Sequence, residues 1–267
     1  MRRGLGESIA GLGAVATVVL TFLLLPMVII AALSFSDSAY TTFPPPALSL
    51  RWYAAIAQSV SWRSSFLVSV AIASGSTVLA LALGLGAALA LTRGHFGFKK
   101  LIYTLMLAPL ILPGIITALA LYFFFAPLRM VGSPLAIVLG HAVLALPIAL
   151  IILCATIQGV DERLEQAAAS LGASRTVILR RITLPLIMPG LLSAAVFSFL
   201  SSFDEFFVAL FLSTPTFQTL PIRIWSTLQY QIEPSVTAIS TVLIGMTVGA
   251  LVISQLMKAA SARISTS

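Results

Sequence analysis

Residues 161–189 read DERLEQAAASLGASRTVILRRITLPLIMP. The stretch holds three of the chain's eight acids, Asp161, Glu162 and Glu165, and four of its fifteen bases, Arg163, Arg175, Arg180 and Arg181. Long apolar runs flank it on both sides. A hairpin this charged, set between two membrane spans, has to lie in water on one side of the bilayer, because charge is costly in hydrocarbon. Its internal pattern predicts two short helices. Asp161 is placed to cap the first, its carboxylate accepting from free backbone N–H groups. Glu162 and Glu165 then fall in the first turn, where the helix dipole favours negative charge. Ala167, Ala168 and Ala169 are strong helix formers. Gly172 can take the left-handed conformation that ends such a helix. Ser174 is placed to cap the second helix, and Pro185 and Pro189 to bound its exit into the next span.

Outward from the hairpin, the 267 residues are 59% hydrophobic and 9% charged, where a soluble domain carries about 25% charged residues. Too few charges are present to coat a soluble globule. The composition therefore predicts an all-α integral membrane protein. The net charge of +7 would suggest nucleic acid if the bases formed a patch. They lie instead between apolar runs, as orienting charges do, which excludes nucleic acid as a partner and leaves the lipid bilayer. The one cysteine, Cys154, lies inside an apolar run. It can form neither a disulfide within the chain nor a metal site by itself.

Six spans are expected, at about 12–33, 65–91, 101–127, 133–157, 186–212 and 236–257, in a single transmembrane domain covering 1–267, with the charged loop at about 158–185. A run of roughly 20 apolar residues crosses the hydrocarbon core. The first run exceeds the ~7–15 residues of a signal-peptide core, so it is read as an uncleaved span. Pro44, Pro45 and Pro46 predict an extended segment. Arg51, Trp52 and Tyr53 open a short amphipathic stretch, suited either to the bilayer surface or to an extracytoplasmic partner. Gly75, Gly84 and Gly86 permit close packing in the second span. Pro109 and Pro113 predict a kink in the third. His95 falls in a basic turn and is read as solvated; His141, near the start of the fourth span, is expected to hydrogen-bond between helices. Arg223, Trp225, Tyr230 and Glu233 lie in the loop before the sixth span.

With the N-terminus inside, eleven bases face the cytoplasm: Arg2, Arg3, Arg93, Lys99, Lys100, Arg163, Arg175, Arg180, Arg181, Lys258 and Arg263. Four face outward: Arg51, Arg63, Arg129 and Arg223. The positive-inside rule thus places both termini and the charged hairpin in the cytoplasm.

No phosphate-binding loop G-x-x-x-x-G-K-[ST] occurs, nor H-E-x-x-H, C-x-x-C or G-x-S-x-G. The chain is predicted to be no enzyme and to bind no cofactor or metal. The fifth span carries different chemistry. From Phe197 it reads FSFLSSFDEFFVALFL, with Asp204 and Glu205 well inside an apolar run. An acid near a span's centre costs roughly 2.5–3.5 kcal/mol and is retained only where it faces protein, water or a cation. In a continuous helix Ser198, Ser201, Ser202 and Glu205 share one stripe, extended by Ala194, Ala195 and Ala209. Phe199, Phe203, Phe206, Phe207 and Leu210 cover the opposite side. Glu205 then faces the polar interior and Asp204 flanks it. Two readings stand: the acids pair with a base or serines across a helix interface, or they line a water-filled pathway for a cation.

The hairpin resembles the cytoplasmic loop of permease subunits of type I ABC importers, with its pattern E-A-A, three residues, Gly, nine residues, Ile, one residue, Leu-Pro. Ala167, Ala168, Gly172, Ile182, Leu184 and Pro185 fall on that register. The motif's Glu position is occupied by Gln166, with Glu165 beside it. The segment APLILPGIITALALYFFF, the RWY segment and the acidic pair are similar to the spermidine/putrescine permease branch along nearly the whole chain. The resemblance implies a coupling helix that docks into a groove on an ATPase subunit. It also implies a bacterial inner-membrane assembly of two permeases, identical or different, two ATPase subunits that hold ATP and Mg, and an extracytoplasmic binding protein. A polyamine is the implied solute; related branches move other small solutes. An ion-coupled secondary transporter using the acids as proton or sodium sites, and a membrane scaffold, are the other classes the residues allow.

Overall fold

The computed structural model describes residues 2–40, 42–230 and 234–264, with the backbone alone for 2–11, 230, 250–251 and 253–264. The described residues are helical without a strand; two isolated bridges, Ser36 to Leu48 and Thr214 to Phe217, are the only extended pairings among them. In order come α1 (Arg2–Ser34), α2 (Arg51–Gln58), α3 (Val60–Arg93), α4 (Lys99–Ile111), α5 (Gly114–Phe125) and α6 (Pro134–Gln158). Then follow α7 (Glu162–Ser170), α8 (Arg175–Ile178), a π turn (Leu179–Thr183), α9 (Leu184–Phe203), α10 (Phe207–Leu212), α11 (Leu220–Tyr230) and α12 (Ser235–Ile264).

Four stretches are long and apolar enough to cross a membrane: Leu12–Ser34, Val60–Arg93, Pro134–Gln158 and Arg175–Phe203. The pair α4 and α5 makes a fifth if taken as one broken span, and α12 contributes the shorter apolar stretch Ser235–Gly249.

The prolines shape these elements more than the hydropathy pattern foretells. The expected kink in the third span is a full break, with α4 and α5 bent by 104°. Leu112 is extended, at φ −74 and ψ 142, because the ring of Pro113 excludes the residue before it from the helical region. Pro134 opens α6 at its first turn, where a missing N–H costs nothing, and Ser133 caps that turn by accepting from Ala136 N. Pro185 and Pro189 do not end the second hairpin helix, as the sequence predicts. They lie within a helix that runs unbroken from Arg175 to Phe203. The π turn makes this passage feasible: Leu184 N bonds to Leu179 O, five residues back, loosening the turn on which Pro185 follows. The fifth span, predicted continuous over 186–212, ends at Phe203 and resumes as α10. The loop expected before the sixth span contains α11. Glu233 lies outside the described residues.

The chain forms two compact units. One comprises the residues up to Arg63 with Ile224–Met246. In it, the turn after α1 is tied back on itself: Ser34 Oγ lies 2.7 Å from the Tyr53 hydroxyl, Arg51 pairs with Asp37 at 3.4 Å, and Phe35 packs on the Tyr53 ring. The Arg51 guanidinium also lies over the Trp52 ring at 4.6 Å. The proline run follows a cis Phe43–Pro44 bond and bends where an extended segment was expected.

The other unit comprises Ser64–Arg223 with the chain from Thr247. Its centre is α6, packed most extensively on α9. Small residues set that contact, as in helix pairs that gain little from water exclusion. Ala145, Ala149 and Ala194 are fully buried among Leu150, Leu153 and Ile187. At Gly190 an added Cβ would overlap the Thr156 side chain, so glycine fixes how closely the two helices approach. A second cluster, with Ile72, Phe125, Ile137, Val208 and Leu212, joins α3, α5, α6 and α10.

Candidate functional site

The acidic pair sits at the break between α9 and α10. Asp204 is the C-cap of α9, its N–H donating to Leu200 O at 3.1 Å. The Glu205 carboxylate turns forward and caps the next helix. It accepts from Val208 N at 2.9 Å and 3.1 Å through its two oxygens, and from Ala209 N at 3.2 Å. Free N–H groups at a helix start favour an anion, so the acid and the break explain each other. His141 of α6 completes the cluster. Its Nδ1 lies 2.9 Å from Ser202 Oγ and its Nε2 lies 3.4 Å from Glu205 Oε2. His141 is 1% exposed and the Glu205 side chain 9%.

The predicted stripe is partly assembled. Ser198, Ser202 and Glu205 turn inward together, Ser201 is half-buried, and Ala194 and Ala209 are buried. Asp204, placed at the stripe's edge by helical spacing, is exposed. The helix ends before the acids, so the rotation expected of a continuous span does not apply to them. Phe199 and Phe203 stack at 5.7 Å beside the break. His141 hydrogen-bonds between helices as expected. Its approach to Glu205 was not foreseen, although both were visible as titratable groups inside apolar runs.

The hairpin follows its predicted design at most positions. Asp161 caps α7 by accepting from Arg163 N at 2.9 Å. Gly172 has φ +84, and its N–H donates to Ala169 O while Ala173 N donates to Ala168 O. These two bonds are the Schellman closure that requires a left-handed residue. Ser174 stands at the N-cap of α8, but its side chain makes no capping bond. Gln166 and Ala167 are exposed, Ala168 half-buried, Ile182 and Leu184 half-buried, and Pro185 exposed. Glu165, not Gln166, turns inward: Thr183 Oγ1 donates to its Oε1 at 2.9 Å, and Arg93 Nε lies 3.5 Å from its Oε2. Two further features were missed. Leu164, Ala167 and Leu171 share one face at helical spacing, with Leu164 49% and Leu171 89% exposed. Arg93, at the far end of α3, reaches the hairpin; nothing in the sequence relates positions about seventy residues apart. No group of three or more His, Cys, Asp or Glu side chains gathers as a metal site among the described residues.

Leu164 and Leu171 thus leave an outward apolar face on α7. Residues 80–266 match the family model described as "Binding-protein-dependent transport system inner membrane component". The chain belongs to that family. Such components are multi-pass membrane proteins of transport systems, not enzymes. The chain is 30% identical to the spermidine/putrescine transport system permease protein PotC of Haemophilus influenzae, over 90% of this chain and 93% of that protein. It is 30% identical to the putrescine transport system permease protein PotI of Escherichia coli strain K12, over 84% and 82% respectively. Among solved structures, a bacterial ABC transporter involved in import of the acidic polysaccharide alginate has a chain of the same fold. That likeness has a TM-score of 0.72 at 17% identity and covers 94% of this chain and 96% of that one.

Proposed function

We propose that this chain is one permease subunit of an ATP-driven bacterial importer, and that its solute is a polyamine, putrescine or spermidine. Six spans carry it: the four long apolar stretches, the broken pair α4 and α5, and Ser235–Gly249 of α12. Both termini and the hairpin lie in the cytoplasm, a reading supported by the eleven-to-four distribution of bases. A second permease completes the pathway, and an extracytoplasmic binding protein delivers the solute. A pair of ATPase subunits, which hold ATP and Mg, receives α7 through Leu164, Ala167 and Leu171. Their closure draws the hairpins together and opens the pathway outward.

The observation that carries the solute reading is Asp204, an acid left exposed at a helix break in an apolar span and flanked by Ser201 and stacked Phe rings. Glu205 holds that break in shape through α10, with Ser198, Ser202 and His141 behind it. One ammonium of an organic dication at about 4 Å from a carboxylate gains roughly 4 kcal/mol at an effective dielectric of 20. The named solutes of the two relatives are dications or larger polycations, which suits this charge.

Uptake of labelled putrescine and spermidine by the reconstituted complex tests the proposal. Asp204→Asn keeps volume and removes charge, so polyamine uptake should fall at least ~10-fold, the equivalent of 1.4 kcal/mol. Uptake indifferent to this change would remove Asp204 from the pathway. No polyamine uptake by the wild-type complex would overturn the solute.

A further inference from the structure

We propose that Arg93 is a positioning residue that carries movement of the cytoplasmic hairpin into the spans, acting through Glu165 and Thr183. This rests on the reading of α7 as the element that docks on the ATPase.

The argument begins with what does not hold the hairpin. Neither α7 nor α8 buries a side chain. An open cavity of about 730 Å³ separates them from the end of α3, lined by Arg93, His95, Glu165, Gln166, Arg175 and Thr183 among others. A helix without apolar packing transmits force only through its covalent ends and its polar ties. Among the described residues, the side-chain ties from α7 to other elements run through Arg93 and Thr183. Arg93 Nη1 donates to Glu162 Oε1 at 2.7 Å, and its Nε faces Glu165 Oε2 at 3.5 Å. Its Nη2 donates to Val160 O at 2.8 Å and Ile157 O at 3.2 Å. Ile157 lies in the last turn of α6 and Val160 two residues past its end, where the helix dipole favours a cation. Glu165 in turn accepts from Thr183 on the π turn that leads into α9.

One guanidinium thus grips α7 and the end of α6 from the last residue of α3, and one carboxylate passes the grip to α9. A displacement of α7 pulls on three spans at once. The fork geometry is needed: a lysine ammonium cannot reach two carboxylates and two carbonyls in fixed directions. The arrangement also accounts for Gln166. The inward acid stands one residue earlier, at Glu165, so the exposed position no longer needs a charge for this tie.

The test uses the assembled importer in liposomes, reading polyamine uptake, ATP hydrolysis and co-purification of the ATPase subunits. Arg93→Gln, Glu165→Gln and Thr183→Val should each lower solute moved per ATP by about tenfold or more, 1.4 kcal/mol of lost coupling, with the ATPase still bound. Arg93→Gln combined with Glu165→Gln should be no worse than either alone, as members of one network behave. Arg93→Lys should fail to restore coupling. Thr183→Val, which leaves the arginine itself in place, keeps the test valid if Arg93→Gln disturbs folding. Normal solute-to-ATP ratios in Arg93→Gln or Thr183→Val would overturn the proposal, as would simple additivity of the pair. Loss of the ATPase from Arg93→Gln would also overturn it, since that is a docking defect. Leu171→Asp separates the underlying reading: if it leaves the ATPase bound, α7 is not the docking element.

Discussion

Glu205 uses both carboxylate oxygens as acceptors for the backbone of α10, with His141 closing the cluster from α6. Glu205→Gln leaves one oxygen for those N–H groups and turns an amide donor toward them. The variant should lose about 1–3 kcal/mol of stability, the cost of a buried polar group left unpaired. Thermal unfolding in detergent reads this, with Asp204→Asn as the control that should unfold like wild type. An unchanged midpoint for Glu205→Gln would mean that the cap does not hold the break. Much of this site was legible. An acid pair within an apolar run announces itself, and the serine spacing marked Ser198 and Ser202 as inward. The break was not legible, because Phe203 to Phe207 carries no proline or glycine. The backbone turns there on a side-chain cap, and a cap can be read from sequence only when the helix boundary is already known.

At the scale of elements, the fold depends on how closely α6 and α9 approach. Gly190 sets that distance: a Cβ there would overlap Thr156, whose own Cβ stands 2.6 Å away. Gly190→Ala should destabilise the chain by about 1–3 kcal/mol, as forced overpacking does. Thr156→Ala should relieve this only in part, since the Cβ remains. The check is thermal unfolding of both variants and their combination; an unchanged Gly190→Ala would show that the helices have room to spare. The four long apolar stretches were legible from hydropathy, and α7 was legible from Asp161, the alanines and Gly172, each acting through its own backbone. The path of α8 into α9 was not. Prolines at 185 and 189 argue for a stop, yet the helix continues past both, with a π turn directly before the first.

For the whole molecule, the proposed ATPase partner requires the hairpin on the cytoplasmic side. Ser174 is exposed at the turn between α7 and α8, and the native Cys154 is 7% exposed. In a Cys154→Ser background, Ser174→Cys should react with a membrane-impermeant thiol reagent in inside-out vesicles and not in intact cells. Labelling from outside intact cells would reverse the topology and separate the hairpin from any cytoplasmic ATPase. The count of bases makes orientation a property of the whole chain. The tie from Arg93 to Glu162 and Glu165 was beyond such a count, because it needs the ends of three helices brought together.

The π turn at Leu179–Thr183 has a further meaning in terms of chain length. It holds one residue more than the same turn of an α-helix would. Removing a residue elsewhere in Arg175–Phe203 would rotate everything beyond it by about 100°, turning Ser198 and Ser202 away from His141. Removing Arg181 would instead let Leu184 N reach Leu179 O as an ordinary four-residue bond, with both flanking faces kept in register. Pro185 stands against that contraction, because its ring meets the carbonyl four residues back at a cost of about 3 kcal/mol. Deletion of Arg181 together with Pro185→Ala should therefore give a span that inserts and unfolds like wild type. The deletion alone, or a one-residue deletion at Ser193, should not. The helix that leads from the hairpin carries one residue more than an α-helical turn would need, and the ring of Pro185 stands against its removal.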